Sequence, residues 1–292
     1  MTEIKIKDLR GVGDVELNLD DTKRVFVFFG SNGVGKTKTL ESLFIFLLAK
    51  TSNFIRFFQY IPQKRIAEKI EVEKEFLDFK GKGVLLTDDS IDYNQLFKQI
   101  NSQDIDAIAF LGASERSAIY RNDSNATLNH EQISVLIQHS INNQLLSNFN
   151  MKTDIHRWFT ERAKSVNPYQ KEEDNRKVDI DTVLNALHIL DSRIEKTLKI
   201  DGDGNVFLTI EGQERELSEL SSGFISVVKI IQSIISAYSA FTNATDLLNV
   251  KGVVLIDEIE SHLHIEWQTK IVPTLKNLFP NTTFYIATHS PL

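Results

Sequence analysis

The chain has 292 residues, 41% hydrophobic and 25% charged, an ordinary balance for a globular protein with room for one large or two modest domains. Its net charge of −7 provides no global basic field to draw it onto nucleic acid, and its lack of cysteine excludes disulfides, thiol catalysis and cysteine-ligated zinc. No stretch reaches the roughly 18 uncharged apolar residues of a membrane span, and the charged opening Met-Thr-Glu-Ile-Lys-Ile-Lys does not read as a secretory signal, so cytoplasmic residence is expected.

Ile4, Ile6 and Leu9 alternate, as do Val15, Leu17 and Leu19, which predicts two strands turning at Gly11-Val12-Gly13. The run Val25-Phe26-Val27-Phe28-Phe29 reads as a buried strand. It leads into Gly30-Ser31-Asn32-Gly33-Val34-Gly35-Lys36-Thr37, a complete G-x-x-x-x-G-K-[ST] loop. Residues 38–49 follow with Leu40, Leu43, Phe44, Leu47 and Leu48 at helical spacing. Strand, glycine loop and helix in that order build an anion site. The glycines let the backbone turn tightly with its N–H groups inward, and the helix N-terminus adds roughly half a positive charge. In such a loop Lys36 reaches the β- and γ-phosphates and the Thr37 hydroxyl ligates Mg²⁺; Lys38 either adds a phosphate contact or faces solvent.

The middle of the chain is less legible. Residues 66–79 read as helix or strand, residues 84–87 and 106–111 as short strands, and residues 93–100 as a helix between them. A long helical stripe (Ile133, Leu136, Ile137, Ile141, Leu145) covers 131–164, a loop covers 166–176, and a helix is expected over 179–198. Asp201-Gly-Asp-Gly-Asn205 resembles a calcium loop, but Val206 and Gly212 stand where glycine and glutamate are needed, so a hairpin turn is expected.

Leu220-Ser221-Ser222-Gly223-Phe224 precedes an apolar helix over about 225–240, and is either a simple N-cap or a second anion site. The strand Val253-Val254-Leu255-Ile256 ends in Asp257 and Glu258, at the end of the strand where open α/β sheets bind ligands. Asp257 is placed to hold Mg²⁺ and Glu258 to orient or deprotonate an attacking water. Residues 283–287 form another strand, after which His289 is a candidate γ-phosphate sensor. His262 and His264 lie two apart with no third ligand evident, so zinc is not expected there.

In this order the motifs resemble the ABC-type ATPase heads of the SMC, RecF and OLD (overcoming lysogenization defect) groups. Residues 30–37 match Walker A, Leu-Ser-Ser-Gly-Phe the signature motif, Val-Val-Leu-Ile-Asp-Glu Walker B, Ile-Glu-Ser-His-Leu-His the D-loop and Ala-Thr-His-Ser-Pro the H-loop. The resemblance implies an α/β fold, a P-loop NTPase of the ABC-ATPase type with a mixed central sheet flanked by helices. Residues 1–54 and 199–292 would form the core, and 55–198 a largely helical insertion that lends some strands to it. Two heads would sandwich two ATP molecules, each held with Mg²⁺ by Lys36 and Thr37 of one head and by Ser221, Ser222 and Gly223 of the other. Lys36, Glu258 and His289 would carry hydrolysis, and Arg10, in the matching opening Ile-Lys-Asp-Leu-Arg-Gly, would lie near the nucleotide.

The OLD-like side matches more closely than transporters, because of Glu-Ile-Glu-Ser-His-Leu-His and because Phe224 stands where transporter subunits usually carry glutamine. The Q-loop glutamine is unassigned: Gln95 and Gln99 are candidates, or residues 110–116 fill that role. ABC heads normally continue beyond the H-loop strand and OLD proteins continue into a Toprim nuclease, so further chain is expected after Leu292. The function implied is an ATP switch in DNA maintenance or anti-phage defence, a homodimer with DNA or a nuclease or other effector as partner, and no membrane. The alternatives are a transporter's nucleotide-binding subunit and a scaffold that assembles on ATP without turnover.

Overall fold

The computed structural model describes residues 2–9, 11–48, 51, 77–78, 105–113, 116–119, 154–242 and 244–290. Strands β1 (Thr2–Leu9) and β2 (Gly13–Leu19) pair antiparallel, Ile4 opposite Leu17 and Ile6 opposite Val15. Gly11 and Gly13 both take φ values open to glycine, 77° and 96°, which makes the tight turn between them possible. Strand β3 (Val25–Phe29) runs into the glycine loop and helix α1 (Lys36–Leu48). That helix buries Leu40, Leu43, Phe44, Leu47 and Leu48, the apolar stripe expected of it. A short strand β4 (Leu77–Asp78) extends the first sheet on the far side of β1, and the rest of 66–79 lies outside the described residues.

Strand β5 (Ala107–Leu111) comes next. Helices α2 (Ile155–Lys164) and α3 (Lys177–Leu190) precede an antiparallel meander of β6 (Ile194–Ile200), β7 (Val206–Ile210) and β8 (Gln213–Glu216). Helix α4 (Ser222–Phe241) then leads to β9 (Gly252–Ile256), α5 (Ile265–Leu278) and β10 (Thr283–Thr288). The sheet that carries the glycine loop is parallel, in the order β3-β10-β9-β5. Its β9 is buried along its whole length, as an all-aliphatic strand covered on both faces should be.

Helix α4 is apolar on nearly every side, with Val227, Val228, Ile230, Ile231, Ile234 and Ile235 wholly buried. By length and composition it could cross a membrane, but here it is mostly buried, packed beside β5, α2 and α3 as the central core helix. A buried ionic cluster ties α2 to α3. Arg162 Nε donates to Asp179 Oδ2 at 2.9 Å, Arg176 donates to both Asp179 oxygens, and the Arg162 guanidinium lies 4.0 Å from the Trp158 ring centroid.

Two expectations are corrected. Strand β3 is the edge of the parallel sheet among the described residues, and Val27 and Phe29 are 47% and 64% exposed. Five consecutive apolar residues do not distinguish a covered strand from an edge strand. The helix expected over 179–198 ends at Leu190, where Asp191 N–H closes on Leu187 O and the Asp191 carboxylate accepts from Arg193 N–H and Nε. That local turn starts β6, so 194–198 is strand. The Asp201 turn is the expected hairpin: the Asp201 carboxylate accepts from the N–H groups of Asp203 and Asn205. Residues 84–87, 93–100 and 131–153, with Arg10, Gln95 and Gln99, lie outside the described residues.

Candidate nucleotide site

The loop at the carboxyl end of β3 is held open by glycine geometry. Gly33 and Gly35 have φ of 81° and 90°, and a Cβ on Gly35 would lie 2.4 Å from Val12 Cγ2. The tip of the β1–β2 hairpin therefore packs directly on the phosphate-binding loop. Lys38 Nζ sits at the same hairpin, 3.1 Å from where a Cβ on Gly11 would be. Lys36 Nζ donates to Gly30 O at 2.8 Å and Ser31 O at 2.9 Å, curled over the mouth of its own loop.

Strands β9 and β10 bring the remaining chemistry to the same edge of the sheet. Thr37 Oγ1 donates to the Asp257 carboxylate at 2.9 and 3.1 Å, joining residues 220 apart in the chain. Burial pushes the Asp257 carboxyl above its usual 3.8, while the Thr37 hydrogen bond and the charges of Arg116 and Lys36 oppose that rise. A hydroxyl and a carboxylate side by side are hard oxygen donors, and one or two protein oxygens beside phosphates suit Mg²⁺. Thr37 and Asp257 thus fit that ion.

Glu258 follows in a left-handed backbone conformation, φ 46°. Its Oε2 accepts from Ser261 Oγ at 3.0 Å, and its Oε1 lies 3.8 Å from His289 Nε2. His289 Nδ1 is 2.9 Å from Gly30 O and 3.1 Å from Lys36 Nζ; it donates to the first or accepts from the second according to tautomer. Lys36, Thr37, Asp257, Glu258 and His289 converge at the carboxyl ends of β3, β9 and β10.

Ser221 is the N-cap of α4 but makes no side-chain capping bond, and Ser221 and Ser222 are exposed. Gly223 is buried, and a Cβ there would meet His262 O at 3.1 Å, so the Ser221–Gly223 turn is seated on the Ser261–His264 turn. His262, at φ 69°, and His264, the N-cap of α5, belong to that turn and not to a helix.

Two residues that the sequence reading placed only within longer segments, Glu260 in the D-loop match and Arg116 in the 110–116 alternative to a Q-loop glutamine, enter the site. Glu260 accepts from His289 N–H at 2.6 Å and Thr288 Oγ1 at 2.7 Å, fixing the turn that presents His289. Arg116, wholly buried, donates to the carbonyls of Asp257 and Glu258. A second acid in Glu-Ile-Glu and an arginine five residues past a strand were visible signals, but neither spacing names its partners.

The family model described as "AAA domain, putative AbiEii toxin, Type IV TA system" matches residues 25–292. The chain is 22% identical over 310 residues to the Septu protein PtuA of Bacillus thuringiensis, covering 99% of this chain and 71% of PtuA. It is 37% identical over 98 residues to the Retron Vc95 probable ATPase of Vibrio cholerae serotype O1 biovar El Tor, a stretch that covers 32% of this chain and 19% of that protein. A solved SMC head bound to the C-winged helix domain of ScpA aligns over 99% of this chain and 90% of its own at 12% identity, with a TM-score of 0.49, too slight a likeness to bear on function.

Proposed function

This chain belongs to the AAA-domain family whose model spans residues 25–292, an ATP-hydrolysing P-loop enzyme, and we propose that it acts as an ATP-gated dimeric switch in anti-phage defence. The observation that carries the switch is the contact of Thr37 with the Asp257 carboxylate, with Glu258 and His289 beside it. Lys36 and the loop N–H groups neutralise the phosphates, Lys36 leaving Gly30 O and Ser31 O to do so. Thr37 and Asp257 would hold Mg²⁺, which would supply charge neutralisation to the phosphates. Glu258 takes the proton of the attacking water, and His289, placed by Glu260, donates to the γ-phosphate.

The exposed, uncapped Ser221 and Ser222 with Gly223 would complete the site of a second head. Residues 1–54 and 199–292 form the core in this reading, with β5 lent to its sheet by the intervening segment. The similarity to PtuA and to a retron ATPase favours defence.

The test is ATP-dependent dimerisation of Glu258→Gln, followed by light scattering. The dimer should form with ATP and disappear when Ser221→Arg is added. A mass that ignores both ATP and Ser221→Arg removes the switch. Turnover unaffected by duplex DNA would remove DNA as a partner, and equal phage plating on cells carrying the wild-type or Lys36→Ala gene would remove defence.

A further inference from the structure

Strands β5 and β9 run parallel and stay paired to their ends, where Asp257 N–H closes on Leu111 O at 2.9 Å. Beyond Leu111 the chain bends, and Arg116 sends its guanidinium back beneath the β9 turn. Nη2 donates to Asp257 O at 2.7 Å and to Gly112 O at 2.8 Å, and Nη1 donates to Glu258 O at 2.8 Å. The residue is wholly buried, while its Nε finds no hydrogen-bond partner among the described residues. Burial brings its pKa down to about 10, opposed by the charges of Asp257, Glu258 and Glu260, so it is still a cation at neutral pH. Burying a charge is expensive, and an apolar side chain would fill the same space without that penalty. What a guanidinium adds here is a rigid fork that holds two successive carbonyls at once.

Those carbonyls belong to the residues whose backbone needs holding. Glu258 occupies the left-handed region at φ 46°, a conformation that persists in a side-chain-bearing residue only where its surroundings over-determine it. Its carbonyl accepts from Arg116 Nη1 on one side and from Ser261 N–H, at 2.9 Å, on the other. In that conformation the Glu258 carboxylate meets Ser261 Oγ and stands beside His289.

We propose that Arg116 is a positioning residue for ATP hydrolysis: by gripping the Asp257 and Glu258 carbonyls it sets the left-handed turn that aims the Glu258 carboxylate, without itself reaching the nucleotide. The proposal rests on Glu258 being the base. It predicts that Arg116→Gln lowers kcat by about 10²-fold, the scale of a displacement of about 1 Å in a catalytic group, while the KM for ATP stays within about threefold. Arg116→Lys, which keeps the charge but grips one carbonyl at a time, should recover part of the loss.

The deciding measurement is single-turnover ATP hydrolysis by Arg116→Gln and Arg116→Lys, each in the wild-type and the Glu258→Gln background, with thermal melting to confirm folding. If Arg116 acts through Glu258, either substitution slows the wild type more than about fivefold and the Glu258→Gln protein less than that. A loss below fivefold in the wild type, or the same loss in both backgrounds, overturns the proposal. Should Arg116→Gln fail to fold, Arg116→Lys is held to the same threshold. Full turnover by Glu258→Gln alone would remove the base assignment and this proposal with it. An inactive Glu258→Gln beside a fully active Arg116→Gln would remove this proposal only.

Discussion

Gly35 offers the sharpest test of how the phosphate loop is built. Its backbone has φ 90°, and a methyl group at Cβ would lie 2.4 Å from Val12 Cγ2, 2.8 Å from Val12 Cγ1 and 3.2 Å from Val12 Cβ. Gly35→Ala therefore carries two penalties. The left-handed backbone costs an L-residue about 1–2 kcal/mol, and forcing a methyl into a filled space costs about 1–3 kcal/mol. If the loop deforms to escape both, ATP affinity falls roughly 30-fold or more, since each tenfold step is about 1.4 kcal/mol. Fluorescent-nucleotide titration reads this directly. Adding Val12→Ala removes the two Cγ atoms and should restore the steric share, leaving a residual loss of about tenfold from the backbone. Wild-type affinity in Gly35→Ala, or a double variant no tighter than the single one, would refute the packing of the hairpin on the loop.

Away from the site, Asp179→Asn should destabilise the protein by about 3–5 kcal/mol, because it leaves buried Arg162 without its carboxylate. ATP affinity should not change, and a thermal or urea unfolding loss below about 1 kcal/mol would contradict the cluster's role. Asp257→Asn should separate stability from function. The folded pKa of Asp257 is raised by burial, so the folded state binds more protons and this carboxyl's contribution to stability falls as pH rises from about 4 through the raised value. The nucleotide-free variant should therefore melt higher than wild type at neutral pH and lose Mg²⁺-dependent turnover; a lower melting temperature would contradict the burial argument.

The legible parts of this chain were those written locally. Residues 30–37 carry their chemistry in their own spacing, and the strand before and helix after them confirmed the loop. Asp257 and Glu258 were readable because four aliphatics place them at the end of a covered strand. Long-range contacts outside the motifs were not readable. The edge position of β3 depends on which strand pairs beside it, and the end of α3 depends on a turn closed by Asp191 and Arg193. The grip of Arg116 on Glu258 joins residues 142 apart, and Glu260 reaches forward 29 residues to His289. No periodicity reports contacts of that kind.

The most direct test of the central claim is steady-state ATP hydrolysis by the wild-type chain beside Glu258→Gln, with Mg²⁺ present and ATP binding measured in parallel. Turnover by the wild type, with at least about a 10²-fold loss in Glu258→Gln and ATP binding retained, is the expected result. Equal turnover in both proteins would contradict the account of the site, and the absence of ATP binding in the wild type would contradict it outright.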